Sequence, residues 1–372
     1  MKANKIALPI TFILIIFSLG VWLVLKPDTL VSSSERRKLT LLPKISIETI
    51  INGECFNKLE DYLLDQIPLR ETFRRVKSIN EFYVLKKLDN HKIIIKDGYA
   101  TKISYPLSEK SSDLYVKKIN QIQDKYLKDK DLNIYNLIIP DKNYYLINEG
   151  EYPLINYKEL ENKIKTKISG EYINIFDTLD LESYYKTDSH WKIENISGVA
   201  NKILARMGRK EVKILSEKKI SKPFYGVYYG ESALPLKYDE ISYVETDEIN
   251  NTVVYRMNTK TKKLEKDKMY HEEVFDEELT DSYDFFLGGA STITVLENNL
   301  ENSGKVLYIF SDSFGRSLAP LLISDYSKIV LYDIRYIKPS IALEQVRIEN
   351  GNDVLFAYNI SSIDVSSNIN VD

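Results

Sequence analysis

An acid, an imidazole and a hydroxyl are the parts of an acyl-transfer site, and this chain carries them in two distant pieces. The first is Lys186-Thr187-Asp188-Ser189-His190-Trp191. Of the three histidines, His190 and His91 both follow an aspartate by two residues, but only His190 leads at once into a tryptophan and an apolar, helix-spaced run. The second piece is Val306-Leu307-Tyr308-Ile309-Phe310-Ser311-Asp312-Ser313-Phe314-Gly315, a β-type run that breaks into small polar residues. In an extended segment, positions i and i+2 point to the same side. Asp188 can then accept from one nitrogen of His190, leaving the other to take a proton from a serine. A serine between a strand and a helix sits near free backbone N–H groups and the positive end of the dipole, which favour an oxyanion. Ser313 is therefore the candidate nucleophile and Ser311 the second choice, with a simple N-cap as the plain alternative. A zinc site would want more His or Cys, so the metal reading ranks below the triad and no cofactor is implied.

These pieces need a scaffold that brings strand ends together. Residues 107–132 read as a helix feeding a strand at 133–140, which ends in Pro140-Asp141-Lys142. Lys142 at that strand end is a candidate substrate residue, a solvated lysine being the competing reading. A helix at 157–169 and a strand at 172–176 follow, then the His190 segment and a helix from Ile193 to Met207. Strand 306–310, a helix through Leu322, strand 329–332, a helix near 338–348 and strand 354–358 close the chain. Alternation of this kind predicts an α/β fold with a largely parallel sheet and helices on both faces. Residues 221–285 differ, and their Tyr, Thr and Val predict a β-rich insertion with strands at 241–246 and 251–257 and an acidic loop at 265–282. His271 in that loop and the Asp89–His91 pair, in a polar connection, are expected to be solvated.

Upstream, Phe56, Leu59, Leu63 and Ile67, then Phe73, Val76, Ile79, Phe82 and Leu85, fall at helical spacing, with Pro68 as the break. Ile6 to Leu25 is predominantly apolar and uncharged for about 20 residues, enough to span a hydrocarbon core. Lys2 and Lys5 precede it, so residues 1–5 form a cytoplasmic tail, 6–25 a single-pass anchor in the lipid bilayer, 26–50 a polar linker and 51–372 an extracytoplasmic domain. The Val21–Pro27 stretch offers no small-x-small cleavage site, which favours an uncleaved anchor over a signal peptide. A net charge of −3 over 372 residues gives no global attraction for nucleic acid. The single cysteine, Cys55, excludes an internal disulfide framework and reads as an apolar residue at a helix start.

Asp188-Ser189-His190-Trp191, followed by a helix carrying Gly198, resembles the Asp-His-His-Trp signature of the DHHW family. These are SGNH-hydrolase-like proteins related to the alginate O-acetylation proteins AlgJ and AlgX. Asp65-Gln66-Ile67-Pro68-Leu69-Arg70, Asp284-Phe285-Phe286-Leu287-Gly288-Gly289, Ser311-Asp312-Ser313-Phe314 and Tyr332-Asp333-Ile334-Arg335-Tyr336 are similar to further blocks of that family, in the same order. The resemblance implies an SGNH-like fold and a triad of Ser313 (nucleophile), His190 (general base and acid) and Asp188 (orienting His190). It adds Gly289, Lys142 and Arg335 as possible oxyanion or substrate groups. Two departures stand out. Ser189 replaces the second His of the signature, and Ala290 stands where the family usually has Asn, removing a side-chain oxyanion donor and leaving the Gly289 or Ser313 amide for that role.

What the resemblance implies about function is a membrane-anchored O-acyltransferase of the bacterial cell envelope. It would move an acyl group, by expectation acetyl, onto a surface or cell-wall polysaccharide. Acetyl-CoA is not expected outside the cell, so a membrane-bound O-acyltransferase partner would supply the acyl group. A carbohydrate esterase with the same triad and a non-catalytic polysaccharide-binding surface protein are the alternatives.

Overall fold

The computed structural model describes residues 2–89, 92–148, 150–277 and 279–372, so His91 lies outside the described residues. The chain divides into two compact units. The smaller comprises 1–91 with 229–236 and 277–280, and the larger holds the remainder.

In the smaller unit a helix runs from Lys2 to Leu25, and its stretch Ala7–Leu25 is long and apolar enough to cross a membrane. Two further helices, Glu54–Gln66 and Arg70–Ile79, meet at Pro68, where the ring removes a donor and ends the first helix. Cys55 is buried in the first of these. The stretch whose composition suggests a linker carries a short strand pair, Val31–Ser32 with Arg37–Lys38. The Asp65-Gln66 block explains why this stretch is ordered. Arg37 donates to both Asp65 oxygens at 2.9 and 2.5 Å, and the Thr40 amide adds a third bond at 2.9 Å. The hydrogen bond from Arg37 is the main reason that this carboxyl lies well below its usual range. Buried Gln66 accepts from the Thr29 amide and donates to the Thr29 and Thr40 carbonyls. This motif therefore does structural work.

The larger unit is built on one eight-stranded sheet. Its strands are β1 (Leu132–Ile139), β2 (Glu171–Tyr172), β3 (Thr252–Met257), β4 (Leu264–Asp267), β5 (Ile293–Asn298), β6 (Val306–Ser311), β7 (Lys328–Tyr332) and β8 (Asn352–Asn359). The order is β4-β3-β5-β7-β6-β8-β1-β2, in which β7, β6, β8, β1 and β2 are mutually parallel. β5 runs against β7, and β3 and β4 continue antiparallel to that edge. The β-rich segment is thus used twice. Its later strands extend the main sheet, while Asp239–Glu245 pairs with Ser216–Phe224 as a separate ribbon.

Period-two alternation divides the core between the two faces. Leu307 and Ile309 point to one face, where Ile203 and Leu204 of the Ser197–Arg206 helix and Leu318 of the Gly315–Leu322 helix pack. Tyr308 and Phe310 point to the other, against Ile119 of the Glu109–Ile122 helix and Ile164 of the Tyr157–Lys167 helix. The strand expected at 172–176 is only two residues long, because the chain turns into a 3₁₀ helix at Phe176–Thr178.

β6 is the pivot of the topology. From it the chain passes to β7 on one side and then returns to β8 on the other. The carboxyl end of β6 is therefore a switch point, the crevice where open α/β sheets bind ligands. At the opposite end of the sheet, wholly buried Asp353 accepts from Asn133, Arg209 and Tyr326 at 2.8, 2.9 and 2.7 Å. Asp353→Ala strands these donors. It is expected to lower unfolding free energy by about 3–5 kcal/mol in denaturant titrations of the detergent-solubilised chain.

Candidate active site

The candidate site grows from the end of β6. Asp312 is buried, and its carboxylate accepts from the Phe314 amide at 3.1 Å, the Asn359 amide at 2.8 Å and the Ser362 hydroxyl at 2.7 Å. It thereby ties the end of β6 to the end of β8. The turn leaves Ser313 partly exposed just before the helix that starts at Gly315. Ser311 is fully buried, donates to the Asp312 carbonyl at 3.2 Å and does not line the cavity that Ser313 faces.

The structure brings Asp188, His190 and Ser313 into one hydrogen-bonded chain. Asp188 Oδ1 lies 2.6 Å from His190 Nδ1, and His190 Nε2 lies 2.7 Å from Ser313 Oγ. The local geometry differs from the extended segment expected above. Residues 186–190 form a bend between Tyr184 and Trp191, which pair as an isolated bridge. Asp188 meets His190 because its Oδ1 also accepts the His190 amide at 3.0 Å, a tight side-chain turn. Oδ2 takes the Val227 amide at 2.9 Å. Burial pushes the Asp188 carboxyl up, but the His190 charge and these donors outweigh it and hold the group well below its ordinary range.

The bend has little regular structure of its own and is held from outside. Asp239 accepts the amides of Lys186 and Thr187 at 2.8 and 2.7 Å and the Thr187 hydroxyl at 2.7 Å. The Gly226 amide donates to Thr187 Oγ1 at 2.9 Å. A Cβ at Gly226 would come within 2.3–2.4 Å of the Thr187 backbone and Asp188 Cβ, so glycine is needed for this close approach.

Aromatic packing fixes the imidazole. Tyr283 stacks on His190 with ring centres 3.7 Å apart and planes 8° from parallel. Phe314 lies 4.7 Å away on centroids. Ser317, one turn past Ser313, receives the Trp191 indole N–H at 2.7 Å and pairs with the Tyr283 hydroxyl at 2.8 Å. Trp191 is thus a buried strut joining the histidine bend to the serine helix.

His190, Ser313, Gly289, Arg316, Arg335 and Tyr336 are among the residues lining a cavity of about 180 Å³. Gly289 has φ +81°, and a Cβ there would meet the Asp284 carboxylate at 2.3–2.6 Å. Its amide donates to the Phe286 carbonyl at 3.3 Å, within its own turn. Among the described residues the Ser313 amide has no acceptor. Asp284 in turn holds Arg316 at 2.6 Å beside Ser313. Ala290 is exposed on the rim and turns its carbonyl to Arg256 at 2.9 Å.

Lys142 is placed differently from either expectation. It lines no part of this cavity and it is not solvated. It is 1% exposed, and its Nζ donates to the Ala100 carbonyl at 2.9 Å and to the Tyr185 carbonyl. It thereby ties Tyr185, just ahead of the histidine bend, to Ala100. His271 also departs from the solvated loop expected. It is buried, with Nδ1 3.0 Å from Glu273 and Nε2 3.3 Å from Asp267, because its amide pairs with the Phe285 carbonyl and draws the loop inward. Among the described residues no group of three or more His, Cys, Asp or Glu is placed to hold a metal ion.

Sequence reasoning missed Tyr283, Ser317 and Asp239. Two of them carried a signal: Ser317 lies four residues from Ser313 on a helix, and Tyr283 directly precedes the Asp284–Gly289 block. Asp239 carried none.

The chain has solved counterparts. A DHHW family protein from Eubacterium siraeum matches with a TM-score of 0.60 at 20% identity, over 76% of this chain and 95% of that one. PatB1 of Bacillus cereus matches with a TM-score of 0.59 at 18% identity, over 74% of this chain and 97% of that one. The same protein solved with a sulfonyl adduct matches equally, over 73% and 95%. The likeness is one of fold, and it agrees with the α/β architecture expected from the sequence. No protein-family model matches the chain, and no curated protein matches it either.

Burial lowers the Lys142 ammonium to about 7, against a partial opposing pull from Asp188 and Asp239. A neutral amine suits its setting, having two N–H donors for two carbonyls. The folded chain thus binds fewer protons than the unfolded one between pH 7 and lysine's ordinary 10.5. Stability from this group rises with pH across that window and is lost as pH falls toward 7. Relative to Lys142→Met, the wild type is expected to gain a few kcal/mol between pH 7 and 10. Urea unfolding across that range measures the difference.

Proposed function

We propose that this protein is a membrane-anchored, extracytoplasmic O-acyltransferase working through an acyl-serine intermediate. The observation that carries this reading is the continuous chain Asp188–His190–Ser313, with contacts of 2.6 and 2.7 Å, opening on a cavity at the sheet's switch point.

His190 Nε2 takes the Ser313 hydroxyl proton as Oγ attacks the acyl carbonyl. Asp188 holds the tautomer in which Nδ1 carries a proton and stabilises the imidazolium that forms. The carbonyl oxygen becomes an oxyanion facing the Ser313 amide, which has no acceptor among the described residues. As the tetrahedral centre collapses, the imidazolium returns its proton to the leaving oxygen and the acyl group stays on Ser313. An acceptor hydroxyl then gives its proton to His190 and attacks the ester. Ser313 is released, and Oγ recovers the proton. The acceptor in this reading is a hydroxyl of a surface or cell-wall polysaccharide, and acetyl is the expected acyl group. With water in place of that hydroxyl, the same steps constitute an esterase.

The Ala7–Leu25 helix supports anchoring. Lys2 and Lys5 before it favour a cytoplasmic N-terminus and an outward-facing catalytic unit. Activated acyl groups must then arrive across the bilayer, which is the task of a membrane-bound O-acyltransferase partner.

The full chain in detergent, given a chromogenic acetyl ester and an oligosaccharide, is expected to transfer acetyl to the sugar. Ser313→Ala and His190→Ala should each lower turnover about 10³-fold or more. PatB1, which shares the fold, has been solved with a sulfonyl adduct, so a sulfonyl fluoride is a suitable probe. It should add one sulfonyl group to Ser313 by peptide mass spectrometry. Unchanged turnover in both variants would sink the triad assignment, and release of acetate to water alone would make the protein an esterase.

A further inference from the structure

The triad cavity is too small for a saccharide chain. At about 180 Å³ it falls below the ~300 Å³ at which ligand clefts ordinarily begin. An acceptor polymer whose hydroxyl reaches Ser313 must continue beyond it. A second cavity, of about 350 Å³, adjoins it, and Arg335 lines both. The far cavity also has Lys92, Lys102, Tyr105, Ser361 and Asp364 in its walls.

Arg335 at the neck is pre-oriented. Its Nε and Nη2 donate to the two oxygens of Asp333 at 2.8 and 2.6 Å. Among the described residues its Nη1 makes no hydrogen bond, which leaves donors for an oxygen-rich ligand. Two exposed rings flank this neck, Tyr336 on the triad side at 58% exposure and Tyr105 on the far side at 49%. Such rings offer an apolar face and a polar tip to a sugar. The charged residues lining the far cavity are Lys92, Lys102 and Arg335 against Asp364, a positive balance in a concave wall, whereas the triad cavity adds Arg316 against Asp281, Asp312 and Asp333.

We propose that the cavity beyond Arg335 is the acceptor subsite, and that it takes an anionic saccharide bearing carboxylate or phosphate groups. The chain passes Arg335 and presents one hydroxyl to Ser313. The fate of that hydroxyl rests on the acyl-transfer reading above, whereas binding itself does not require Ser313.

The test is isothermal titration of full-length Ser313→Ala protein in detergent micelles. The probes are an oligogalacturonate, a phosphorylated malto-oligosaccharide and the neutral malto-oligosaccharide of equal length. At least one anionic oligomer is expected to bind tenfold or more tightly than the neutral one and to weaken with added salt. The arm that binds identifies the anion. Lys92→Glu with Lys102→Glu should weaken that binding tenfold or more, and because both lysines are exposed, the double variant should keep its thermal unfolding profile. Equal affinity for neutral and anionic oligomers, no binding at all, or no effect of the double variant overturns the subsite. Sulfonyl fluoride labelling of wild-type Ser313 needs no saccharide and separates the two ideas. Labelling without anion-selective binding removes the subsite alone, and anion-selective binding without labelling removes the triad reading alone.

Discussion

The geometry around Ser313 depends on one buried carboxylate. Asp188 has no exposed surface, and a buried charge is tolerated only when its lone pairs are met. Those of Asp188 are met by the His190 ring, the His190 amide and the Val227 amide. Each partner belongs to a different structural demand. The ring must face the serine, the amide must close the turn, and the 226–228 segment must pass close enough to donate. The last demand explains Gly226, where any side chain would collide with the bend. Asp239 then holds the bend through its first two amides, and Lys142 holds the Tyr185 carbonyl just before it.

The other half of the site is held by packing. Trp191 and Tyr283 converge on the single hydroxyl of Ser317, and Tyr283 lies flat against His190. A rotation of the imidazole away from Ser313 would break the stack. A shift of the serine helix would break both hydrogen bonds to Ser317. Base and nucleophile are therefore located by the same buried cluster, which is how a site on a bend and a turn can be as defined as one on regular elements. The switch point at β6 supplies the opening, since helices leave it to opposite faces of the sheet and uncover the crevice.

Much of the α/β alternation was legible because buried parallel strands carry continuous apolar runs and their helices carry amphipathic ones. Val306–Ser311, Lys328–Tyr332 and Asn352–Asn359 lie within a residue or two of where the pattern puts them. The segment at 172–176 failed for a reason of position. It is an edge, where few neighbours reward extension and the chain can turn early. His271 and Lys142 differ in the opposite direction, the first expected in solvent and the second at the substrate site or in solvent. Lys142 is buried because carbonyls distant in sequence accept its hydrogen bonds, and His271 because its amide pairs with the Phe285 carbonyl while its ring meets near neighbours in the loop.

The sequence by itself determined the apolar N-terminal span, the alternating elements, and the two pieces that hold Asp188, His190 and Ser313. These are local properties, written in hydropathy, spacing and turn residues. Only the tertiary structure decided that the two pieces meet, since 123 positions separate His190 from Ser313. It also decided that the Gly289 amide is taken by the Phe286 carbonyl while the Ser313 amide has no acceptor among the described residues, and that Lys142 holds the Tyr185 carbonyl ahead of the bend while Arg335 lines both cavities. A short polar side chain reads the same in sequence whether it meets water or a buried partner. What separates those outcomes is which backbone passes beside it, and that is fixed by the order of strands in the sheet.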